Sequence, residues 1–289
     1  MKRLIKSTMV FIKKLQLDYV SAYAAQAAFF ILLSLFPFAM LLYAIISHIP
    51  IVSNGNMGEL FSDLVPNAFN SFLRTLFDEA AGGQGTVTVI SVTAVTALWS
   101  SSKGVLSLIR GLNRVCSIEE TRNYFAVRGI ACLYTFGFVV GVVLAAVLVV
   151  FGKNISYTII SVFPAAEGVI RWIYSLRIVI SLAVLVILFM SLYRFLPSRK
   201  STFKKEFLGA FAAAAGWIGF SYIYSFYISN FAGTSVYGSL TTVLLFMLWL
   251  YVCFYMFFVG AEINTFNNRD ASVIEFIRQY HAARKSKYV

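Results

Sequence analysis

Histidine occurs twice in this sequence, at His48 and His281, and cysteine three times, at Cys116, Cys132 and Cys253, with no pair at metal-ligand spacing. A zinc-type centre therefore has no ligands to draw on. The serine of Gly238-Ser239-Leu240 lacks the Gly-x-Ser-x-Gly elbow and any nearby histidine to act as its base. The "SSSKG" of Ser100 to Gly104 lacks the spaced glycines and preceding strand of a phosphate loop. Acidic residues are few, 12 against 24 basic ones, and every Asp and Glu falls in a loop or at the end of an apolar block, with Asp18 and Glu262 nearest the interior. A buried carboxylate relay of the kind that proton-driven pumps use is not expected. These gaps argue against an enzyme and call for no cofactor.

The apolar content is high instead: 60% of residues are apolar and 17% aromatic, and the mean hydropathy is +0.80. Soluble domains carry less, so the composition indicates a membrane protein. Six apolar blocks have the length that a hydrocarbon core about 30 Å thick demands of a helix. They run from about Ser21 to Ser47, Thr86 to Ser102, Gly129 to Phe151, Ile173 to Leu196, Phe207 to Phe231 and Tyr237 to Ala261. The first is expected to kink or open near Pro37, and the fourth is closed by Pro197. The expected fold class is all-α, a polytopic integral membrane protein with six transmembrane helices. Residues 18–264 would form one membrane domain, 1–17 an interfacial helix and 265–289 a basic tail.

Charge placement orients these blocks, because cytoplasmic flanks hold the excess of Lys and Arg. Lys2, Arg3, Lys6, Lys13 and Lys14 precede the first block; Lys103, Arg110, Arg114, Arg122 and Arg128 lie between or flank the second and third; Arg194, Arg199, Lys200, Lys204 and Lys205 do so for the fourth and fifth; Arg269, Arg278, Arg284, Lys285 and Lys287 fill the tail. The first outer loop carries Glu59, Asp63, Asp78 and Glu79 against Arg74 alone. Both termini are expected inside. The net charge of +12 then matches an anionic inner leaflet, and no nucleic-acid partner is expected. Lys2 to Leu17, with Leu4, Ile5, Phe11, Ile12 and Leu15 on one arc and the cations opposite, reads as an amphipathic helix on the cytoplasmic surface. Phe69, Phe72, Leu73, Leu76 and Phe77 in the outer loop, and Ser272 to Ala283 in the tail, suggest further interfacial helices.

One stretch carries a candidate site. Stepping by threes and fours, Thr93, Thr96, Ser100, Lys103, Ser107, Arg110 and Arg114 align, while Val105, Leu108, Ile109 and Leu112 take the other side. That alignment requires one helix running through Gly104. At 1.5 Å per residue the stripe is about 30 Å long, hydroxyls first and cations last. It would suit an anionic lipid headgroup, although hydroxyls also fill helix contacts and terminal cations also snorkel. Ser221, Ser225 and Ser229 form a possible second polar strip, with Tyr222 beside them, and Glu262 is a possible ion-pair partner for Arg110 or Arg114. Gly209, Ala212, Ala213 and Gly216, and Gly137 with Gly141, read as close helix contacts.

The segments "AAFFILLSLFPFAMLL", "LWSSSKGVLSLIRGLNRVCSIEETRNYFAVR", "YRFLPSRK", "GAFAAAAGW" and "YGSLTTVLLFMLWLYVCFYMFFVGAEIN", in this order, resemble the YihY family of bacterial inner-membrane proteins, which includes the virulence factor BrkB. The resemblance implies a six-span helical protein of the bacterial cytoplasmic membrane. Members have been labelled ribonuclease BN, and some are linked to serum resistance or envelope lipid transport. The resemblance supplies no binding residues, so the stripe rests on the sequence pattern alone. The expectation is a non-enzymatic membrane protein that binds, and in a stronger form transports, an anionic-headgroup lipid or envelope amphiphile. A scaffold for envelope integrity is the alternative and a ribonuclease the distant one.

Overall fold

The computed structural model describes residues 2–47, 87–137, 176–231 and 239–267. All regular structure among them is helical: α1 (Lys2–Leu17), α2 (Val20–Ser47), α3 (Val87–Val115), α4 (124–137), α5 (Arg177–Phe195), α6 (Phe203–Phe231) and α7 (Ser239–Asn267). The expected outer-loop helix at Phe69 to Phe77, the tail helix at Ser272 to Ala283, Gly141 and both histidines lie outside the described residues.

Two stretches, Phe203–Ile228 and Val243–Asn267, are long and apolar enough to cross a membrane, and Met9–Leu17 with Val20–Ser34 forms a pair bent by 50° that would make a third. Val179–Phe195 is apolar but shorter. The polar half of α3, with Lys103, Arg110 and Arg114, sets that helix apart from α6 and α7, whose charged residues are confined to one end. α2 is helical through Pro37 to Ser47, and a bend of 50° precedes it at Asp18 and Tyr19.

Small residues decide which helices meet. α2 packs on α3 and α7, α7 on α6, and α6 on α5. A Cβ at Gly104 would come within 2.7 Å of the Ile31 Cγ1 of α2, and one at Gly111 would strike the Phe258 ring of α7 at 2.5 Å. α3 runs unbroken through Gly104, where α2 occupies the space a side chain would need. Gly209 of α6 and Gly260 of α7 face each other so closely that a Cβ on either would overlap the other's carbonyl oxygen. Such approach is the usual device of helix pairs in lipid, where apolar burial gives little driving force. Ala213 is buried and Gly216 faces the Met256 sulfur. Gly137, the last described residue of α4, is exposed and has nothing within 4 Å among the described residues.

Aromatic side chains fill the gaps between α5, α6 and α7. Tyr193 and Phe257 lie 4.8 Å apart between centroids, Phe189 and Trp217 5.6 Å, and the Tyr193 hydroxyl donates to the Phe257 carbonyl at 2.5 Å. The outward faces are apolar too, with Ile187, Ile223 and Phe226 each more than 60% exposed. A helix bundle that is oily both inside and out needs a hydrocarbon solvent.

α3 stops in a Schellman turn. The Ile118 N–H donates to the Asn113 carbonyl at 2.8 Å and the Ser117 N–H to that of Arg114 at 2.9 Å, with Ser117 at φ 53 where glycine is usual. Tyr19, at φ 55, ends α1 in the same conformation.

The Gly209 contact generates a direct prediction. Gly209→Ala must push α6 and α7 apart and is expected to destabilise by about 1–3 kcal/mol or more, read as a lowered melting temperature of the detergent-purified protein. Gly219→Ala, at a position with nothing within 4 Å, should leave it unchanged. Equal melting of the two variants would contradict the packing described.

Candidate functional site

The start of α2, the C-terminal ends of α3, α5 and α7, and the N-terminal end of α6 come together at one end of the bundle, joined by α1. Most polar contacts among the described residues gather here. Lys14 of α1 is buried, contrary to its expected place on a solvated arc. Its Nζ makes an ion pair with Glu262 of α7 at 2.8 Å, another with Asp18, and donates to the Val115 carbonyl of α3 at 3.1 Å. One ammonium thereby ties three separate elements, by hydrogen bonds to Asp18 and Val115 and by charge to Glu262. Phe11 adds an edge-on contact with Phe266 of α7, their centroids 5.3 Å apart.

Glu262 thus pairs with Lys14 and not with Arg110 or Arg114, the possible partners in the sequence. It is fully buried in α7, whereas Arg114 is on the outside of the α1–α2 turn. The Arg114 Nε lies 3.7 Å from Asp18 Oδ1, and its Nη2 donates to the Leu17 carbonyl at 3.3 Å. The Tyr19 ring lies 5.9 Å from the guanidinium carbon.

A second buried carboxylate, Glu206 in the first turn of α6, was missed as a site residue. It is fully buried, takes Arg199 at 2.9 Å and the Ser201 hydroxyl, and accepts from Asn264 Nδ2 at 2.9 Å. Asn264 also donates to the Glu206 carbonyl at 3.0 Å and accepts from the Gly209 N–H at 2.6 Å. The available signal was an acid directly ahead of an apolar block, at the positive end of a helix dipole. Its partner on α7 leaves no local trace.

Asn113 joins the α3–α4 and α5–α6 turns, donating to Glu120 at 2.7 Å and accepting from the Ser198 N–H at 2.9 Å. Arg122 holds Glu120 at 2.8 Å and donates to the Leu196 carbonyl at 2.9 Å. Hydrogen bonding from Arg122 depresses the Glu120 carboxyl to about 2 and raises Arg122. Because the folded value lies below the ordinary one, this tie contributes in full above about pH 4.5 and is lost only as the pH falls towards 2.

The stripe of α3 divides into an exposed and a buried part. Lys103, Arg110 and Arg114 are exposed along one face, and Lys103 lies 5.7 Å from the Phe30 ring centre. Ser107, at the edge of that face, is buried and bonds back to the Lys103 carbonyl at 3.0 Å. The side chains of Thr93, Thr96 and Ser100 lie outside those described, as does that of Ser229. Leu108, Ile109 and Leu112 are buried on the opposite side. At the other end of the bundle, an open groove of about 600 Å³ between α5 and α6 is lined by Ile180, Val184, Leu188, Trp217, Ser221 and Ser225. The Ser221 hydroxyl accepts the Trp249 indole N–H at 3.1 Å.

Residues 11–281 match the family described as virulence factor BrkB. A putative ribonuclease-like protein, YfkH, of Bacillus subtilis is 30% identical over 243 residues, covering 83% of this chain and 87% of its own. A UPF0761 membrane protein of Chlorobium limicola is 28% identical, covering 88% of this chain, and one of Ralstonia nicotianae, RSc1559, is 24% identical, covering 93%. The chain spans 56% and 58% of the length of those last two relatives. No solved structure matches. With nearly its whole length matched, and with apolar helices of membrane-crossing length, the chain is a membrane protein that belongs to the virulence factor BrkB family.

Proposed function

We propose that this protein crosses the bacterial cytoplasmic membrane six times with both termini inside, and binds an amphiphile with an anionic headgroup at the Lys103–Arg110–Arg114 face of α3. The observation that carries the reading is the separation of charge at the basic end. Asp18, Glu206 and Glu262 turn inward onto Lys14 and Arg199, while Lys103, Arg110 and Arg114 stay exposed. Cations held at an inner membrane surface are worth about 1 kcal/mol each towards acidic lipid. The convergence of alternate helix ends at one end of the bundle supports the six-span arrangement, and lipids of the inner leaflet are the partners it implies.

Transport of the bound amphiphile is the stronger form of this reading, with the α5–α6 groove as its other station. A scaffold role is the competing one, and a specific observation favours it: the Ser107 and Ser221 hydroxyls are engaged inside the protein. Hydroxyls so engaged have their hydrogen bonds met without a ligand. The ribonuclease wording of one relative's name remains a distant third, since among the described residues no three His, Cys, Asp or Glu converge on a metal position.

Topology is checked by reporters: one fused after Val289 should be active only inside the cell and one inserted near Gly83 only outside, and finding both on one side would refute six spans. Binding is checked by exchanging Arg110 and Arg114 for Gln, which should weaken association with acidic vesicles roughly tenfold or more. Leu108→Ala should lower yield without altering the preference for charge. A double Gln variant that binds acidic and zwitterionic vesicles as the parent does would hand the case to the scaffold.

A further inference from the structure

The exposed cationic face and the buried ion cluster share one residue. Arg114 lies on the face with Lys103 and Arg110, yet its Nε is 3.7 Å from Asp18 and its Nη2 bonds the Leu17 carbonyl at 3.3 Å. The Arg114 side chain is 52% exposed and that of Asp18 only 10%. The arginine is thus the arm that can swing, and the aspartate the fixed post. Asp18 is held from behind by Lys14, which also holds Glu262 at 2.8 Å and the Val115 carbonyl at 3.1 Å. Two cations face two carboxylates, so the cluster is balanced while Arg114 stays in it.

We propose that Asp18 is the specificity-determining residue of the headgroup face: it competes with the headgroup for Arg114, so a headgroup binds by drawing Arg114 away from it. This rests on the headgroup reading above and adds the competitor for the arginine. When Arg114 leaves, Lys14 alone stands between two carboxylates, and the Leu17 carbonyl loses its donor. Both changes fall on the turn between α1 and α2, where Tyr19 is held in the left-handed region at φ 55, a conformation unfavourable for a side chain of its kind. Occupancy of the face is therefore coupled to the seating of α1, and the coupling is reciprocal. Weakening the tie to Asp18 must strengthen headgroup binding.

The test is Asp18→Asn in the full-length protein, a change that leaves Lys14 its contacts with Glu262 and Val115. Affinity for vesicles of phosphatidylglycerol, relative to phosphatidylcholine, should rise about fivefold, the factor that one surface charge confers. In an Arg114→Gln background the same change should give no gain, because the gain passes through Arg114. An unchanged ratio, or an equal gain with and without Arg114, would overturn the proposal. Should the Asn variant fail to fold, Asp18→Ser removes the same charge and carries the same expectations. A parent protein that shows no preference for phosphatidylglycerol would bring down the headgroup reading itself, and this inference with it.

Discussion

Two carboxylates without solvent exposure, Glu206 and Glu262, govern how the basic end of this bundle is built. Removing a carboxylate from water costs several kcal/mol unless a partner is supplied in good geometry. Each recruits a different segment. Glu206 draws in Arg199 and Ser201 from the α5–α6 turn and Asn264 from α7, and Glu262 draws Lys14 of α1 into the interior. Asn264 extends the constraint along α6 through the Gly209 N–H, next to the contact with Gly260. The depth at which α6 and α7 cross is thus fixed by sterics at the glycines and by polar pairing one turn away. Loss of one partner would leave a charge buried and unpaired, at about 3–5 kcal/mol.

The same demand explains the outer surface. Carboxylates that turn inward take their own cations with them, and the cations left on α3 face out. Lys103 and Arg110 have no carboxylate described against them, and Arg114 stands between the two populations. A basic terminus on α3 also suits the negative end of its helix dipole. The electropositive face is in part a by-product of folding, and the proposed function gives it a use, since acidic headgroups are attracted to exposed cations at a membrane surface.

Much of this was legible in the sequence, and the rest was hidden for identifiable reasons. The polar alignment from Thr93 to Arg114 required a helix unbroken at Gly104, and α3 is that helix. Gly209 and Ala213 read correctly as close contacts because small residues four apart on an apolar helix have few other uses. Gly137 has the same character without a neighbour among the described residues. Lys14 looked like one more surface cation, since its burial depends on Asp18 and Glu262 arriving from a turn and from a helix near the other end of the chain. Glu206 was one of the acids at the ends of apolar blocks, and only Asn264 and Arg199 reveal how deeply it lies. One-dimensional pattern reports a helix face; it does not report which charge of that face a distant helix claims.

The central claim is that the exposed cations of α3 hold acidic amphiphiles at the basic end. Mass spectrometry of the lipids retained after gentle extraction tests it most directly. The account predicts that acidic lipids are enriched on the protein over the surrounding membrane. A retained lipid composition equal to that of the membrane would contradict it.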